Sequence, residues 1–319
     1  MFKLAEDRSK KGTPLAKTVM QTISDLMNED EKVVMLEADL AGASSSTIIQ
    51  KDHPDRFIQV GIAEADMVGI AAGLSVEGFK PYIHTFGPFA TRRVYDQLYL
   101  SGAYAHNTIN VYGSDPGFTV AANGGTHTTF EDVALMRVMP TAVVTDAADA
   151  VQMEWIVREF SKFPGIHYVR GNRKDVRNVY APGSTFELGK GNVLTKGDDV
   201  LIITAGQLVS DALDAQEKLA AEGISAEVID MFTIKPLDAE LVLSEVKGKK
   251  AVVTFENHSI IGGLGSAVAE VLAENGVCVP FKRHGVNDQF GQVGTADWLQ
   301  KEFRLTADDL IETVHGLLK

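Results

Sequence analysis

Short apolar runs, separated by segments with helical periodicity, recur along the 319 residues. In the first part of the chain they fall at 32–36, 57–60, 80–85, 109–112, 142–145 and 166–169. Strand-length runs that alternate with helix-patterned segments predict a mostly parallel sheet covered on both faces. From 172 to 196 the pattern lapses into turn formers, among them Pro182, Gly183, Ser184, Gly189 and Gly191. A second alternation then begins at 200–204, continues at 226–230, 250–255 and 277–281, and ends in an amphipathic helix over 307–318. The expected fold is α/β with two domains, 1–188 and 189–319, each a mostly parallel sheet flanked by helices. No repeat or low-complexity tract interrupts it.

A hydrophobic content of 45% with 23% charged residues suits a soluble globular chain longer than one typical domain of ~100–200 residues. The formal net charge of -13 argues against a nucleic-acid or anionic-membrane surface, which needs a basic footprint. Residues 1–7 lack the apolar core of a signal peptide, and no apolar stretch approaches the ~20 residues of a membrane span, so a cytoplasmic location is expected. The single cysteine, Cys278, excludes an intrachain disulfide and is expected to be a buried thiol within the run 277–281.

The chemistry is concentrated in the first domain. Glu64 opens a helical segment and shares a face with Met67, Val68 and Ala71, its i+3, i+4 and i+7 neighbours. An ionised carboxylate on such a face is costly to bury. Either it lies in the exposed first turn, where it complements the helix dipole, or it has a partner. The surrounding line HPDRFIQVGIAEADMVGIAAGLSVEG, residues 53–78, closely resembles the pyrimidine-binding domain of transketolases. The resemblance implies that Glu64 hydrogen-bonds the aminopyrimidine ring of thiamine diphosphate. A protonated carboxyl there favours the imino tautomer, whose imine is a base beside C2, and hydrophobic surroundings would let Glu64 hold that proton.

Further matches extend the resemblance. Phe86 and Phe89, an i, i+3 pair that by itself suits an ordinary core, resemble the family's aromatic segment against the aminopyrimidine; Arg92 lies in reach of the same pocket. The turn Asn123-Gly124-Gly125-Thr126-His127 resembles the family's turn whose histidine contacts the donor sugar, which implies that His127 steadies developing negative charge or moves a proton. Arg170, just after a strand, resembles the family's phosphate-contacting arginine, and Asp39 the aspartate of its A-D-L segment near the thiazolium end; a surface ion pair and a strand-end turn are the alternatives for these two. In the second domain, the glycines at 262, 263 and 265 are read as close helix packing rather than a phosphate loop, and Glu256, Asn257 and His258 as structural.

Some substrate-facing positions depart from the family pattern: Asn123 replaces an aspartate, Asp115 stands near an expected histidine, and Thr13 and Ala43 stand near an expected arginine and serine. Fewer cations and an added carboxylate should weaken recognition of the usual sugar phosphates. The G-D-G motif by which the family's other half binds magnesium and diphosphate is also absent, and Lys196-Gly197-Asp198-Asp199 does not replace it. The resemblance therefore implies a C-terminal subunit of a split transketolase, transferring a two-carbon ketol unit. A separate N-terminal subunit would supply the diphosphate and Mg2+ ligands in an α2β2 assembly, with sugars as substrates and His127, Asn123 and Arg170 against them. The rivals are the β subunit of the decarboxylating component of a 2-oxo acid dehydrogenase, a deoxyxylulose-phosphate-synthase-like enzyme, and a regulatory subunit that retains the fold.

Overall fold

The computed structural model describes residues 1–319. Its strands are β1 (Val33–Glu37), β2 (Phe57–Gln59), β3 (Lys80–Phe86), β4 (Ile109–Ser114), β5 (Val143–Asp146), β6 (Ile166–Gly171), β7 (Asn192–Thr195), β8 (Val200–Thr204), β9 (Ala226–Asp230), β10 (Thr233–Lys235), β11 (Ala251–Ser259) and β12 (Phe281–Val286). They form a seven-stranded sheet in the order β10-β5-β6-β4-β3-β1-β2 and a five-stranded sheet in the order β12-β11-β8-β9-β7. Only β10 against β5 and β7 against β9 are antiparallel.

Parallel neighbours require crossovers, and the crossover helices cover both faces. On one face of the first sheet, Leu15, Val19 and Ile23 of the helix Leu15–Glu29 pack with Met153, Ile156 and Phe160 of the helix Ala150–Phe160. On the other, Met67, Val68 and Ala71 of the helix Glu64–Val76 meet Leu36, Ile83 and Val111. Because β1 lies between β2 and β3, the strand order reverses there. The crevice beyond the carboxyl ends of β1 and β3 is where such sheets bind ligands.

Three elements differ from the sequence reading. The last strand of the second sheet is β12, so residues 277–280 form the approach to it rather than the strand itself. Along that approach Val277 and Val279 turn toward the core while Cys278 points outward, so the thiol is exposed rather than buried. The antiparallel strands β7 and β10 are too short and too polar to have carried an apolar signal. β10 also leaves its own domain and joins the edge of the first sheet at β5.

The second domain docks through the end of β11. Asn257 accepts the Phe118 amide at 3.2 Å and donates to the Pro116 carbonyl at 3.0 Å. Glu256 accepts the amides of Leu264 and Gly265 at 2.7 and 2.9 Å, filling the N-terminus of the helix Leu264–Glu274. Burial pushes its pKa up to about 7 despite those two donors. A Cβ on Gly263 would lie 2.1 Å from Glu256 Oε2, so the glycine cluster makes room for a carboxylate of the same chain.

Candidate active site

Glu64 lies in the first turn of its helix, directly after the crevice strand β2, and is only 5% exposed. It is a helix-start acid, but its turn is buried rather than exposed, and it has the partner that burial requires. Arg93 Nη1 donates to Glu64 Oε1 at 2.7 Å. The same guanidinium lies 3.7 Å from the centre of the Phe89 ring, which restricts it to one side of the pocket. The carboxylate is thus ion-paired rather than enclosed by apolar groups alone. Its other oxygen accepts nothing within the chain.

Phe86, at the end of β3, and Phe89 meet edge to face at 6.2 Å. The His127 ring packs against both, at 5.4 and 5.1 Å. The loop that delivers His127 is held from two sides. Arg92 pairs with Glu131 at 2.7 Å and donates to the Thr126 carbonyl at 3.4 Å, and the segment around Gly291 of the second domain closes on Gly125. The approach is close enough that a Cβ on Gly125 would sit 2.6 Å from the Gly291 carbonyl oxygen. Thr126 Oγ1 is 2.9 Å from His127 Nδ1, leaving Nε2 without a partner in the chain. Glu64, Phe86, Phe89 and His127 are therefore one cluster linked by contacts through Arg93, and the cluster presents an unpartnered carboxylate oxygen and an unpartnered imidazole nitrogen.

The remaining expected site residues fare differently. Asp39 stands beyond β1 with φ 59°, exposed, its amide donating to Gln59 Oε1 at 2.6 Å and its carboxylate free of partners. Asn123 is exposed at the head of the histidine loop, two residues after Ala121, whose φ of 52° and ψ of -121° is a conformation that favours glycine. Thr13 and Ala43 are exposed. Arg170 is a correction: it is 1% exposed and cannot meet a substrate phosphate. Its Nε lies 2.8 Å from Asp132, Nη1 donates to Asp146 at 3.0 Å, and Nη2 donates to the Asn257 carbonyl at 3.1 Å, so it knits the two domains together. Burial opposes its charge, but the two aspartates outweigh that and raise its pKa.

Two arrangements were not anticipated. Asp115 does follow β4, but its carboxylate does not face the crevice as a bare charge. It accepts the Arg173 amide at 2.8 Å and is ion-paired with the Arg173 Nε. Beneath the crevice, Glu37 accepts from His84 Nδ1 at 2.9 Å and from Ser44 Oγ at 2.8 Å, while His84 Nε2 is 3.0 Å from Ser114 Oγ. This buried row ties the ends of β1, β3 and β4 together. Burial works against the Glu37 charge, yet His84 and Ser44 hold its pKa below the usual value. Both arrangements pair residues 30 or more positions apart, except for Ser44 with Glu37, and so leave no local sequence signal.

Comparison with known proteins decides the family. Residues 12–179 match the family "Transketolase, pyrimidine binding domain" and residues 189–310 match "Transketolase, C-terminal domain". The chain belongs to the transketolase family. It is 43% identical over 94% of its length to the 6-deoxy-6-sulfo-D-fructose transketolase subunit SqwH of Clostridium sp. (strain MSTE9), covering 93% of that protein. Human transketolase is 33% identical over 93% of this chain, which spans only 48% of the human protein. A solved structure titled "Split gene transketolase, inactive beta4 tetramer" is 39% identical, with a TM-score of 0.89, covering 96% of this chain and 99% of that one.

As a transketolase-family chain it is expected to depend on thiamine diphosphate, and its residues fit one end of that cofactor. The free Glu64 oxygen and the Phe86, Phe89 and His127 rings suit a planar, hydrogen-bonding aminopyrimidine. No group of three or more His, Cys, Asp or Glu side chains is arranged to hold a metal ion, and Asp199 of the Lys196–Asp199 turn is paired with Lys250 at 2.7 Å.

Proposed function

We propose that this transketolase-family chain is the C-terminal subunit of a two-chain enzyme that moves a two-carbon ketol unit from a ketose to an aldose. The observation that carries the reading is the pairing of a free oxygen of the largely buried Glu64 with an aromatic cluster that includes a His127 nitrogen free to meet substrate. Glu64 holds the proton at the aminopyrimidine ring. Phe86 and Phe89 pack against that ring and exclude water from it. His127 Nε2 is free to donate to the donor's carbonyl oxygen as negative charge develops there, or to take a proton from its hydroxyl. Bound thiamine diphosphate supplies the nucleophilic carbon and the electron sink that breaking a carbon–carbon bond next to a ketone requires. Asp39 and Asn123, exposed on the crevice side of β1 and on the histidine loop, complete the half-site toward cofactor and sugar respectively.

The half-site needs a partner chain with a diphosphate-binding domain, which would hold Mg2+ through its own ligands. The solved structure titled as the inactive β4 tetramer of a split-gene transketolase supports this, because this chain covers 99% of that chain. The length relationship with human transketolase supports it too, since this chain corresponds to about half of that enzyme. A heterotetramer of two chains of each kind is the assembly we assign. No helix is long and apolar enough to cross a membrane. We assign the enzyme to the cytoplasm, where sugar phosphates and thiamine diphosphate are at hand.

The donor is a ketose whose distal end this chain does not bind through Arg170. The similarity to a transketolase subunit named for 6-deoxy-6-sulfo-D-fructose makes a sulfonated ketose one donor to test beside phosphorylated and neutral ones. The test is a coupled ketol-transfer assay on the chain co-expressed with its partner, with thiamine diphosphate and Mg2+ added, comparing wild type with Glu64→Ala. Transfer that needs both chains and is lost in the variant is the expected result. Decarboxylation of a 2-oxo acid without transfer from any ketose would replace ketol transfer by acyl transfer.

A further inference from the structure

The segment 117–130, which carries Asn123 and His127, is anchored at both ends in the second domain. Its ends lie together, the Gly117 amide donating to the Thr129 carbonyl at 2.9 Å. Phe118 at one end and Phe130 at the other are buried in one cluster with Phe255, Val286, Leu299 and Phe303 of the second domain. The Phe130 ring meets Phe303 edge to face at 5.0 Å. Polar contacts repeat the attachment. Asn257 bonds the Phe118 amide and the Pro116 carbonyl, and the Ser259 amide donates to the Phe130 carbonyl at 2.9 Å. Ordering so long a turn costs conformational entropy, which burial of two phenylalanines in the core of another domain offsets.

Between these ends, the turn that presents His127 is drawn onto one acceptor. The amides of His127 and Thr128 and the Thr128 hydroxyl all donate to the Gly124 carbonyl, at 3.0, 3.1 and 3.0 Å. The stretch from Gly291 to Val293, between β12 and the helix Ala296–Glu302, closes on that turn from outside. A Cβ on Gly124 would lie 2.6 Å from Val293 Cγ2, and one on Gly291 would overlap the Thr128 side chain. The first domain meets the same turn through the exposed Arg92 and the Phe86 and Phe89 rings. The imidazole therefore rests on the first domain while the backbone that carries it is shaped by the second.

We propose, resting on the ketol-transfer reading, that the second domain is the template of the histidine loop, with Gly291 and Val293 as positioning residues that fix where His127 Nε2 points. The groups that suit the aminopyrimidine, Glu64, Phe86 and Phe89, all belong to the first domain. The second domain thus acts on the sugar chemistry and not on cofactor binding. A shift of the turn by the width of a methyl group takes Nε2 out of line with the donor's oxygens and leaves the cofactor's seat as it was.

The experiment is a double-mutant cycle in the assembled two-chain enzyme, with 6-deoxy-6-sulfo-D-fructose and D-xylulose 5-phosphate as donors and thiamine diphosphate binding measured by calorimetry. Gly291→Ala is expected to lower kcat by about tenfold or more, since a misplacement of ~1 Å can cost 10²-fold, with cofactor affinity unchanged. In a His127→Ala background the same change is expected to cost no further activity, because it acts through the imidazole. Val293→Ala, on a mostly exposed side chain, repeats the cycle with a fall of about threefold should Gly291→Ala not fold. Equal losses with and without the imidazole, a loss that follows weakened cofactor binding, or wild-type kcat in both variants would overturn the inference alone. Absence of ketol transfer from either donor by the wild-type assembly, with thiamine diphosphate bound, would overturn the ketol-transfer reading and this inference with it.

Discussion

Arg93 binds Glu64 through one nitrogen at 2.7 Å and at the same time lies 3.7 Å above the Phe89 ring. One side chain thus anchors both the acid and an aromatic wall of the half-site. Its removal would leave a nearly buried carboxylate without its cation. Arg93→Met is expected to lower the melting temperature, because it strips the partner from that carboxylate, and to lower kcat less than Glu64→Gln, which removes the acid itself and should lower kcat by about 10²–10⁴-fold. Thermal unfolding and steady-state rates for the two variants separate these outcomes; wild-type stability and wild-type kcat in Arg93→Met would mean that the ion pair does not hold the acid in place.

The His127 side chain makes one hydrogen bond within the chain and is half-buried on a loop held by other residues. His127→Ala should therefore leave the melting temperature close to wild type while lowering kcat/KM by about 10²–10³-fold, the range for losing one donor to a developing oxyanion. Thermal unfolding alongside donor kinetics checks both halves. A large fall in stability with intact catalysis would make His127 a structural residue.

Arg170 predicts the opposite pattern. Replacing it by Met leaves Asp132 and Asp146 buried without their cation, at a cost of about 3–5 kcal/mol. The expected result is a melting temperature lower by several degrees, with donor KM unchanged in whatever fraction remains folded. A raised KM at unchanged stability would return Arg170 to the substrate.

A pH dependence of stability follows from Asp230. It is fully buried, accepts from the Tyr180 hydroxyl and Gln152, and burial pushes its pKa up to about 7 against those donors. The folded state therefore binds this proton more tightly than the unfolded chain, whose value is 3.8. The contribution is complete below the unfolded value and is lost as pH rises through about 7. Asp146, raised to about 6 chiefly by burial, and Glu256, raised to about 7, act with the same sign. Asp230→Asn should thus gain stability relative to wild type as pH is raised from 5 to 8. Melting curves at four pH values in that range test it, and parallel curves would show that Asp230 does not contribute.

Much of this was legible in the chain. The apolar runs mark nine of the strands close to where they lie, because a strand buried on both faces must be apolar throughout. The terminal helix Ala307–Leu318 is read to the residue. The grouping of Met67, Val68 and Ala71 with Glu64 follows from helical spacing alone. What escaped depends on partners distant in sequence. Nothing beside Arg170 announces Asp132 and Asp146 on other elements, and nothing beside Asp115 announces that Arg173 returns to it from the far end of β6. Cys278 was misplaced because a run of apolar residues does not show where a strand starts, and a shift of a few residues reverses which side chains face inward.

The strand β10 links the folding of one domain to the solubility of the other. It covers β5, whose backbone would otherwise lie open along the margin of the first sheet. A fragment ending before residue 233 would keep every candidate catalytic residue yet expose that margin, and such margins invite pairing with another chain of the same kind. The catalytic half of this polypeptide is thus guarded against aggregation by a three-residue loan from its neighbour.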